Sequence, residues 1–148
     1  LGYGPESGAE SRLTAEAKAT SKKIGALESM GEQIGFFDTL PEDLQIKFLN
    51  SAVSEMPQAK KVASIMVGSW AKGKPDKLAA VLNDGMNSMP EIKKVLLTDR
   101  NQRWAGWIAK RMEQPGTVFL AVGAGHLAGK ESVQAMLKAN HLEAVRVN

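Results

Sequence analysis

An apolar run that ends in glycines constrains this chain more than any other feature of its sequence. Residues 117–130 read TVFLAVGAGHLAGK, and a helix-like segment, ESVQAMLKAN, follows. A continuous apolar run of this kind predicts a strand buried on both faces. Glycines directly after a strand let the backbone turn sharply or approach a ligand, so we expect Gly123 and Gly125 to bind substrate. Because ligands of open α/β sheets bind beyond the carboxyl ends of the strands, His126 stands where the sequence predicts chemistry.

Two phosphate-binding motifs fail at defining positions of this loop. A phosphate loop, GxxxxGK[ST], would need a glycine where Ala124 stands and a hydroxyl where Glu131 stands. A dinucleotide fingerprint, GxGxxG, does not fit either, because the three glycines of the loop read GxGxxxG, one residue too long. The remaining interpretation is a GxxH turn over residues 123–126 that presents an imidazole.

The coarse pattern predicts a helix-rich α/β fold. Residues 1–8 are irregular, residues 9–112 are mostly helical with a short strand near 23–27, and residues 113–148 form a strand–helix–strand unit that carries the GxxH turn. The strands of that unit are predicted at 117–122 and 142–147. A strand–helix–strand unit is parallel by default, so the sequence predicts a small, about three-stranded, mainly parallel sheet. We expect this sheet to be part of a larger α/β domain.

Prolines mark several of the expected helix starts. Pro41, Pro75 and Pro90 each precede a helical pattern, and the helix that begins at Pro90 is expected to run through Met112.

His126 is the first candidate for a chemical role. An imidazole that is neutral near pH 7 ligates a metal or acts as an acid or base. The alternative is a structural histidine that is bonded to a loop carbonyl.

Glu28 is the second candidate, because it follows the predicted strand at 23–27. If this strand and the strand at 117–122 are parallel, Glu28 and His126 lie at the same edge of the sheet. A carboxylate beside an imidazole suits a divalent metal and metal-assisted activation of water. The alternative is an N-cap or first-turn glutamate that is favoured by the dipole of the helix that follows it.

Arg100 is the third candidate, on geometric grounds. At about 100° per residue, Leu96, Trp104 and Trp107 share one helix face, and Arg100 falls inside that apolar stripe. A guanidinium there must be paired or face a cavity. The Arg100 guanidinium is expected to clamp a substrate carboxylate or phosphate, or to orient Glu28. The alternatives are a structural salt bridge, or an arginine stem that lies along Trp104 with its head in water.

Composition excludes several classes of protein. The 148 residues suit one domain, and the absence of cysteine excludes disulfides and thiolate metal sites. The net charge is only +3, lysines are scattered among acidic residues, and 5% of residues are aromatic. A nucleic-acid surface needs a basic stripe with stacking aromatics, so we expect no nucleic acid partner. No apolar run approaches the roughly 18 residues of a membrane span.

Four segments, in order, resemble the TraB/GumN family, which is related to the TIKI proteins. Together they cover nearly the whole chain, and they read ALESMGEQIGFFDTLPEDLQIKFL, SWAKGKPDKLAAVLNDGM, LLTDRNQRWAGWIAKRM and GAGHLAGKESVQAMLKANHLEAVRV. His141 departs from the family, which usually has a glycine at this position. The family's N-terminal half carries another GxxH motif that is absent here, so the chain resembles the C-terminal half of the domain.

The resemblance implies a bacterial metal-dependent hydrolase with a peptidase-like activity. His126 would be a metal ligand, Glu28 a ligand or general base, and Arg100 an electrostatic clamp or orienter that also contacts substrate. Asn101 belongs to the family's Arg-Asn pair and is expected to bind substrate. The implied cofactor is a divalent metal, namely Mn, Co or Zn.

The resemblance also implies partners, a compartment and an alternative function. The expected partner is the missing N-terminal half or a second copy in a homodimer, because an apolar strand at an open sheet edge needs a cover. Without that partner we expect the chain to be inactive. A periplasmic or secreted location is expected. The alternative is a non-catalytic binding or regulatory module that acts on a peptide or polysaccharide-related ligand.

Overall fold

The computed structural model describes residue 4, residue 6 and residues 8–147. Helices dominate this part of the chain, and eight of them are α-helices: α1 (Ala9–Ala19), α2 (Met30–Asp38), α3 (Glu42–Glu55), α4 (Ala59–Ala71), α5 (Pro75–Asn87), α6 (Pro90–Lys93), α7 (Asp99–Met112) and α8 (Val133–Ala139). Short 3-10 turns cover Met56–Gln58 and Ala124–His126. None of the helices in the described ranges has the length and apolar composition that crossing a bilayer requires.

The predicted α/β fold with a parallel sheet is wrong, because residues 8–147 contain no strand. The three predicted strands, at 23–27, 117–122 and 142–147, lack regular secondary structure, and no backbone hydrogen bond joins them to one another in the described chain. A strand exists only when its N–H and C=O groups pair with a neighbour. An apolar run predicts that its side chains tend to be buried, but it does not specify a neighbouring strand with which its backbone pairs. There is therefore no sheet edge on which Glu28 and His126 meet.

The apolar run at 117–122 is also more exposed than its sequence predicts. The side chain of Phe119 is 76% exposed, and Val118 and Leu120 are exposed as well. Val122 alone of these four packs against the core, where it contacts the cluster around Trp104. The prediction of a strand buried on both faces is therefore wrong for this segment.

Residues 90–112 form one continuous helix whose central turn, Lys94–Thr98, is π-helical. A π turn holds more residues than an α turn, so it changes which residues face the core beyond it. After this turn the buried face contains Asn101, Trp104 and Ala105, while Trp107 is exposed. The predicted apolar stripe is correct for Trp104 and wrong for Trp107. As a result, Asn101 rather than Arg100 lies at the centre of the buried face.

Two small clusters form the core of the described residues. The first joins α7 to α8 and contains Trp104, Ala105, Val133 and Leu137. The second joins α6 to the segment between α2 and α3 and contains Leu40, Met89 and Ile92. Burying one such Leu, Ile or Val side chain contributes about 1.5–3 kcal/mol. The first cluster fixes α7, which carries most of the candidate site.

Capping residues set the starts of the helices that flank this site. At α2, Ser29 Oγ accepts from the Glu32 N–H at 3.2 Å, and the Glu32 carboxylate accepts from the Ser29 N–H at 2.6 Å, which forms a capping box. At α8, Ser132 Oγ accepts from the Ala135 N–H at 3.2 Å. Because Ser29 is the N-cap of α2, Glu28 is not needed as a cap.

Candidate functional site

Glu28 lies directly before α2, and its side chain is almost fully buried, with 2% exposure. Arg100 donates from Nε to Glu28 Oε1 at 3.0 Å and from a terminal nitrogen to Oε2 at 2.8 Å, which is a two-pronged ion pair. Trp104 Nε1 donates to Oε1 at 3.1 Å. The structure thus brings together Glu28 and Arg100, which are 72 positions apart in the chain.

Two further side chains complete the surroundings of the Glu28 carboxylate. Arg103 donates to Oε1 at 3.2 Å, and Gln33 donates to Oε2 at 3.4 Å. Arg103 is 50% exposed, whereas Arg100 is 18% exposed. Both guanidinium groups also stack on Phe36, with the guanidinium carbon 5.3 Å from the ring centroid in each case. Two guanidinium groups therefore share the Glu28 carboxylate, and the charge of Arg103 also acts on the nearby Glu32, whose pKa lies below its ordinary value.

The electrostatics keep Glu28 ionised. Burial alone would raise the pKa of Glu28, but the hydrogen bonds and positive charge of Arg100, with hydrogen bonds from Gln33 and Trp104, outweigh it. The net result is a pKa below the ordinary value of 4.5. Because every oxygen of this carboxylate accepts hydrogen bonds, Glu28 is poorly suited to accept a proton at neutral pH.

His126 ends the 3-10 turn Ala124–His126 and lies half-buried against Trp104. The centroids of the two rings are 4.5 Å apart and their planes are inclined by 43°. The pKa of His126 is lowered to about 4, first by burial and then by the positive charge of Arg100, while Glu28 acts in the opposite direction. The imidazole is therefore neutral at pH 7. Trp104, which contacts both Glu28 and His126, joins the two halves of the site.

Asn101 connects the imidazole to the segment before α8. Its Oδ1 lies 2.6 Å from His126 Nδ1, and its Nδ2 donates to the Glu131 carbonyl at 2.6 Å. The Asn101 side chain is fully buried. The structure therefore places this predicted substrate contact between His126 and the backbone.

The two glycines of the GxxH turn lie close to other groups. A side chain at Gly123 would meet His126 Cδ2 at 3.8 Å. A side chain at Gly125 would approach Asn83 Oδ1 to 3.1 Å, which is a tight contact. Asn83 Nδ2 donates to the Gly125 carbonyl at 3.1 Å, and this bond anchors the turn to α5.

The sequence analysis missed five contributors to this site, namely Gln33, Phe36, Arg103, Asn83 and the indole N–H of Trp104. Arg103 shares a helix face with Arg100, since residues three apart are neighbours on a helix, and this spacing could have identified it. Trp104 was expected in the core, where it lies, but its indole N–H is also a donor to Glu28. No local signal distinguishes Asn83 from any other polar residue of a helix.

A cavity of about 250 Å³ lies beside the loop that follows the GxxH turn. It is lined by Asn83, Lys93, Leu97 and residues 128–131, and none of the predicted site residues lines it. The predicted chemistry therefore lies outside this cavity.

The donor set of the described residues fits a metal only in part. They contain no group of three His, Asp or Glu side chains arranged to hold an ion. His126 suits a nitrogen ligand, because its Nε2 contacts no described polar group. Glu28 does not suit a ligand while Arg100, Arg103 and Trp104 occupy its oxygens. His126 and Glu28 alone therefore do not form a metal site.

Comparison with known proteins identifies the family. The family model described as TraB/PrgY/gumN family matches residues 1–146. Two curated relatives, each called uncharacterized protein YbaP, come from Escherichia coli (strain K12) and Shigella flexneri, and each is 27% identical over 138 residues, which make up 93% of this chain and 50% of the relative. The chain thus spans about half the length of these relatives, and no solved structure matches it. Since the family model covers nearly every residue, the chain belongs to the TraB/PrgY/gumN family.

Proposed function

We propose that this chain is part of a metal-dependent hydrolase with a peptidase-like activity, in which His126 supplies a nitrogen ligand to a divalent cation, Mn, Co or Zn. The observation that carries the proposal is the state of the imidazole. It is neutral at pH 7, one ring nitrogen is bonded to Asn101, and the other contacts no polar group of the described residues. A neutral imidazole held by a hydrogen bond on its far nitrogen is the usual form of a ligating histidine. When bound, such a cation activates water and polarises a carbonyl group.

The number of ligands requires a contribution from elsewhere. A catalytic zinc site has three protein ligands, and the described residues offer His126 alone. We propose that the other ligands come from an N-terminal half or from a second copy of the chain. On this proposal the chain by itself binds a divalent cation weakly and has no hydrolase activity.

Arg100 and Arg103 have an electrostatic role in this proposal. Glu28 holds both guanidinium groups, and the positive charge of Arg100 acts on the imidazole of His126. A fixed positive charge of this kind stabilises a carbonyl oxygen that becomes negative during hydrolysis, or it binds a substrate carboxylate. Glu28 is then a positioning residue for the arginines, and it does not act as the general base.

One observation favours the alternative, a non-catalytic binding or regulatory module for a peptide or polysaccharide-related ligand. The described site lacks an unpaired carboxylate, since the Glu28 oxygens are occupied by hydrogen-bond donors. A module that binds an anionic or carbonyl-rich ligand through Arg100 and Arg103 would need no further catalytic group.

Calorimetric titration with Zn²⁺ and Mn²⁺ separates the two functions. We compare the chain with His126→Ala, and His141→Ala is the matched control because His141 is exposed and lies outside the cluster. Weak binding that His126→Ala abolishes and His141→Ala retains supports the hydrolase proposal. Binding that is unchanged in His126→Ala contradicts it and favours the binding module. A tight one-to-one site on the chain alone would contradict the ligand count.

A further inference from the structure

We infer that Asn101 is a positioning residue that determines which nitrogen of His126 carries the proton, so that the lone pair lies on Nε2. The inference rests on the proposed function, in which Nε2 is the nitrogen that binds the cation. The sequence predicted that Asn101 binds substrate, but its side chain is fully buried.

The orientation of the Asn101 amide follows from the carbonyl of Glu131. A backbone carbonyl oxygen only accepts hydrogen bonds, and it lies 2.6 Å from the amide group of Asn101. The NH2 end of the amide must therefore point at Glu131. The C=O end then points at the imidazole, where Oδ1 lies 2.6 Å from Nδ1.

The orientation of the amide in turn determines the tautomer of His126. An amide oxygen has no hydrogen to donate, so at 2.6 Å the Nδ1 atom must carry the proton. The other neutral tautomer would place two lone pairs against each other at this distance. In a neutral imidazole one nitrogen donates and the other accepts, so Nε2 is left unprotonated. Free histidine in water prefers the opposite tautomer, and the protein therefore reverses an intrinsic preference.

Separate residues hold the position of the turn and the tautomer of the ring. Asn83 bonds the Gly125 carbonyl at 3.1 Å and so holds the turn on α5, without a hydrogen bond to the imidazole among the described contacts. Asn101 bonds the ring itself. Asn83 is therefore a matched control, since replacing it disturbs the loop and leaves the hydrogen-bond acceptor of Nδ1 in place.

Nitrogen-15 NMR of histidine-labelled protein at mildly alkaline pH reads the tautomer directly, because the two ring nitrogens differ strongly in chemical shift when one is protonated. The exposed His141 gives an internal reference. We expect the Nδ1–H form for His126 in the unmodified chain and in Asn83→Ala. In Asn101→Leu, which has a similar volume and no acceptor, we expect the Nε2–H form to become the major one. An Nε2–H form in the unmodified chain, or an Nδ1–H form that persists in Asn101→Leu, would overturn the inference.

A second variant keeps the inference testable if Asn101→Leu does not fold. Asn101→Ala also removes the acceptor opposite Nδ1 and places no extra bulk beside the ring, so the Nε2–H form of His126 should again become the major one, and an Nδ1–H form that persists in this variant would also overturn the inference. In the titration with Zn²⁺, loss of a residue that orients a ligating histidine lowers affinity about 10–100-fold, and we expect this loss for Asn101→Leu. The tautomer is measured without metal, so its outcome is independent of whether the hydrolase proposal holds.

Discussion

Replacing Glu28 by glutamine removes the negative charge that Arg100 and Arg103 share, while the volume of the side chain is kept. In the structure the carboxylate accepts from both arginines and from Trp104 Nε1, at distances of 2.8 to 3.2 Å. Glutamine offers one oxygen instead of two and turns an NH2 group towards a guanidinium. The variant therefore leaves partly buried positive charge without a counter-ion.

The size of the effect follows from the exposure of the partners. Removing one partner of a fully buried ion pair costs about 3–5 kcal/mol. Here Glu28 is 2% exposed, but Arg100 is 18% and Arg103 is 50% exposed, so water compensates part of the loss. We expect Glu28→Gln to lower the free energy of unfolding by about 2–3 kcal/mol. For a chain of this size that loss lowers Tm by about 4–12 °C.

Urea unfolding followed by circular dichroism measures this loss, and Glu131→Gln is the matched control. Glu131 pairs with Lys93 at 2.9 Å, but both side chains are partly exposed, and such pairs contribute about 0–1 kcal/mol. A double-mutant cycle of Glu28→Gln with Arg100→Gln should give a coupling free energy of about 1–3 kcal/mol. A loss for Glu28→Gln no larger than that of the control, with no measurable coupling, would refute the buried ion pair.

Three further measurements test other parts of the structure. Folding lowers the pKa of His126 from 6.5 to about 4, so the unfolded chain binds more protons than the folded chain in this pH range. The free energy of unfolding should therefore fall as the pH falls from about 6.5 towards 4. This pH dependence should weaken in His126→Gln. Ser29→Ala removes one side of the capping box of α2 and should lower the free energy of unfolding by about 1 kcal/mol; an unchanged midpoint in urea would show that the cap contributes nothing. Gly129 has a φ of +87° and open space around it, so Gly129→Ala should cost about 1–2 kcal/mol from backbone strain alone. In contrast, Gly106→Ala within α7 should stabilise the chain by about 0.5–1 kcal/mol, and equal effects of the two substitutions would contradict the strain argument.

Local residues allowed the sequence to predict several helix boundaries. Pro75 and Pro90 begin α5 and α6, and the helix predicted from Pro90 ends at Met112, as expected. A proline fixes its own φ and lacks an N–H, and both effects act on its own turn of helix. Such boundaries can be predicted because they do not depend on distant parts of the chain.

The chemistry of single side chains identified His126, Glu28 and Arg100 as candidate site residues. It did not identify most of the side chains that contact them. The sequence offered orientation of Glu28 and a structural salt bridge among several roles for Arg100, and the structure shows an ion pair between Arg100 and Glu28. The link from Asn101 to His126 was not expected, because it depends on the π-helical turn at Lys94–Thr98. A straight α-helix would have placed Arg100 nearer the buried face instead.

The sequence by itself determined the family and most of the helices, and it predicted His126, Glu28 and Arg100 as candidates for a chemical role. The tertiary structure alone decided that the apolar run at 117–122 forms no strand, and that the Glu28 carboxylate is occupied by Arg100, Arg103 and Trp104. The physical reason is the range of the interactions. A helix forms its hydrogen bonds within a few residues, whereas strand pairing and side-chain partners join positions that are far apart, such as Glu28 and Arg100, which are 72 residues apart. A local pattern records which groups need a partner, and only the folded chain determines which partner they find.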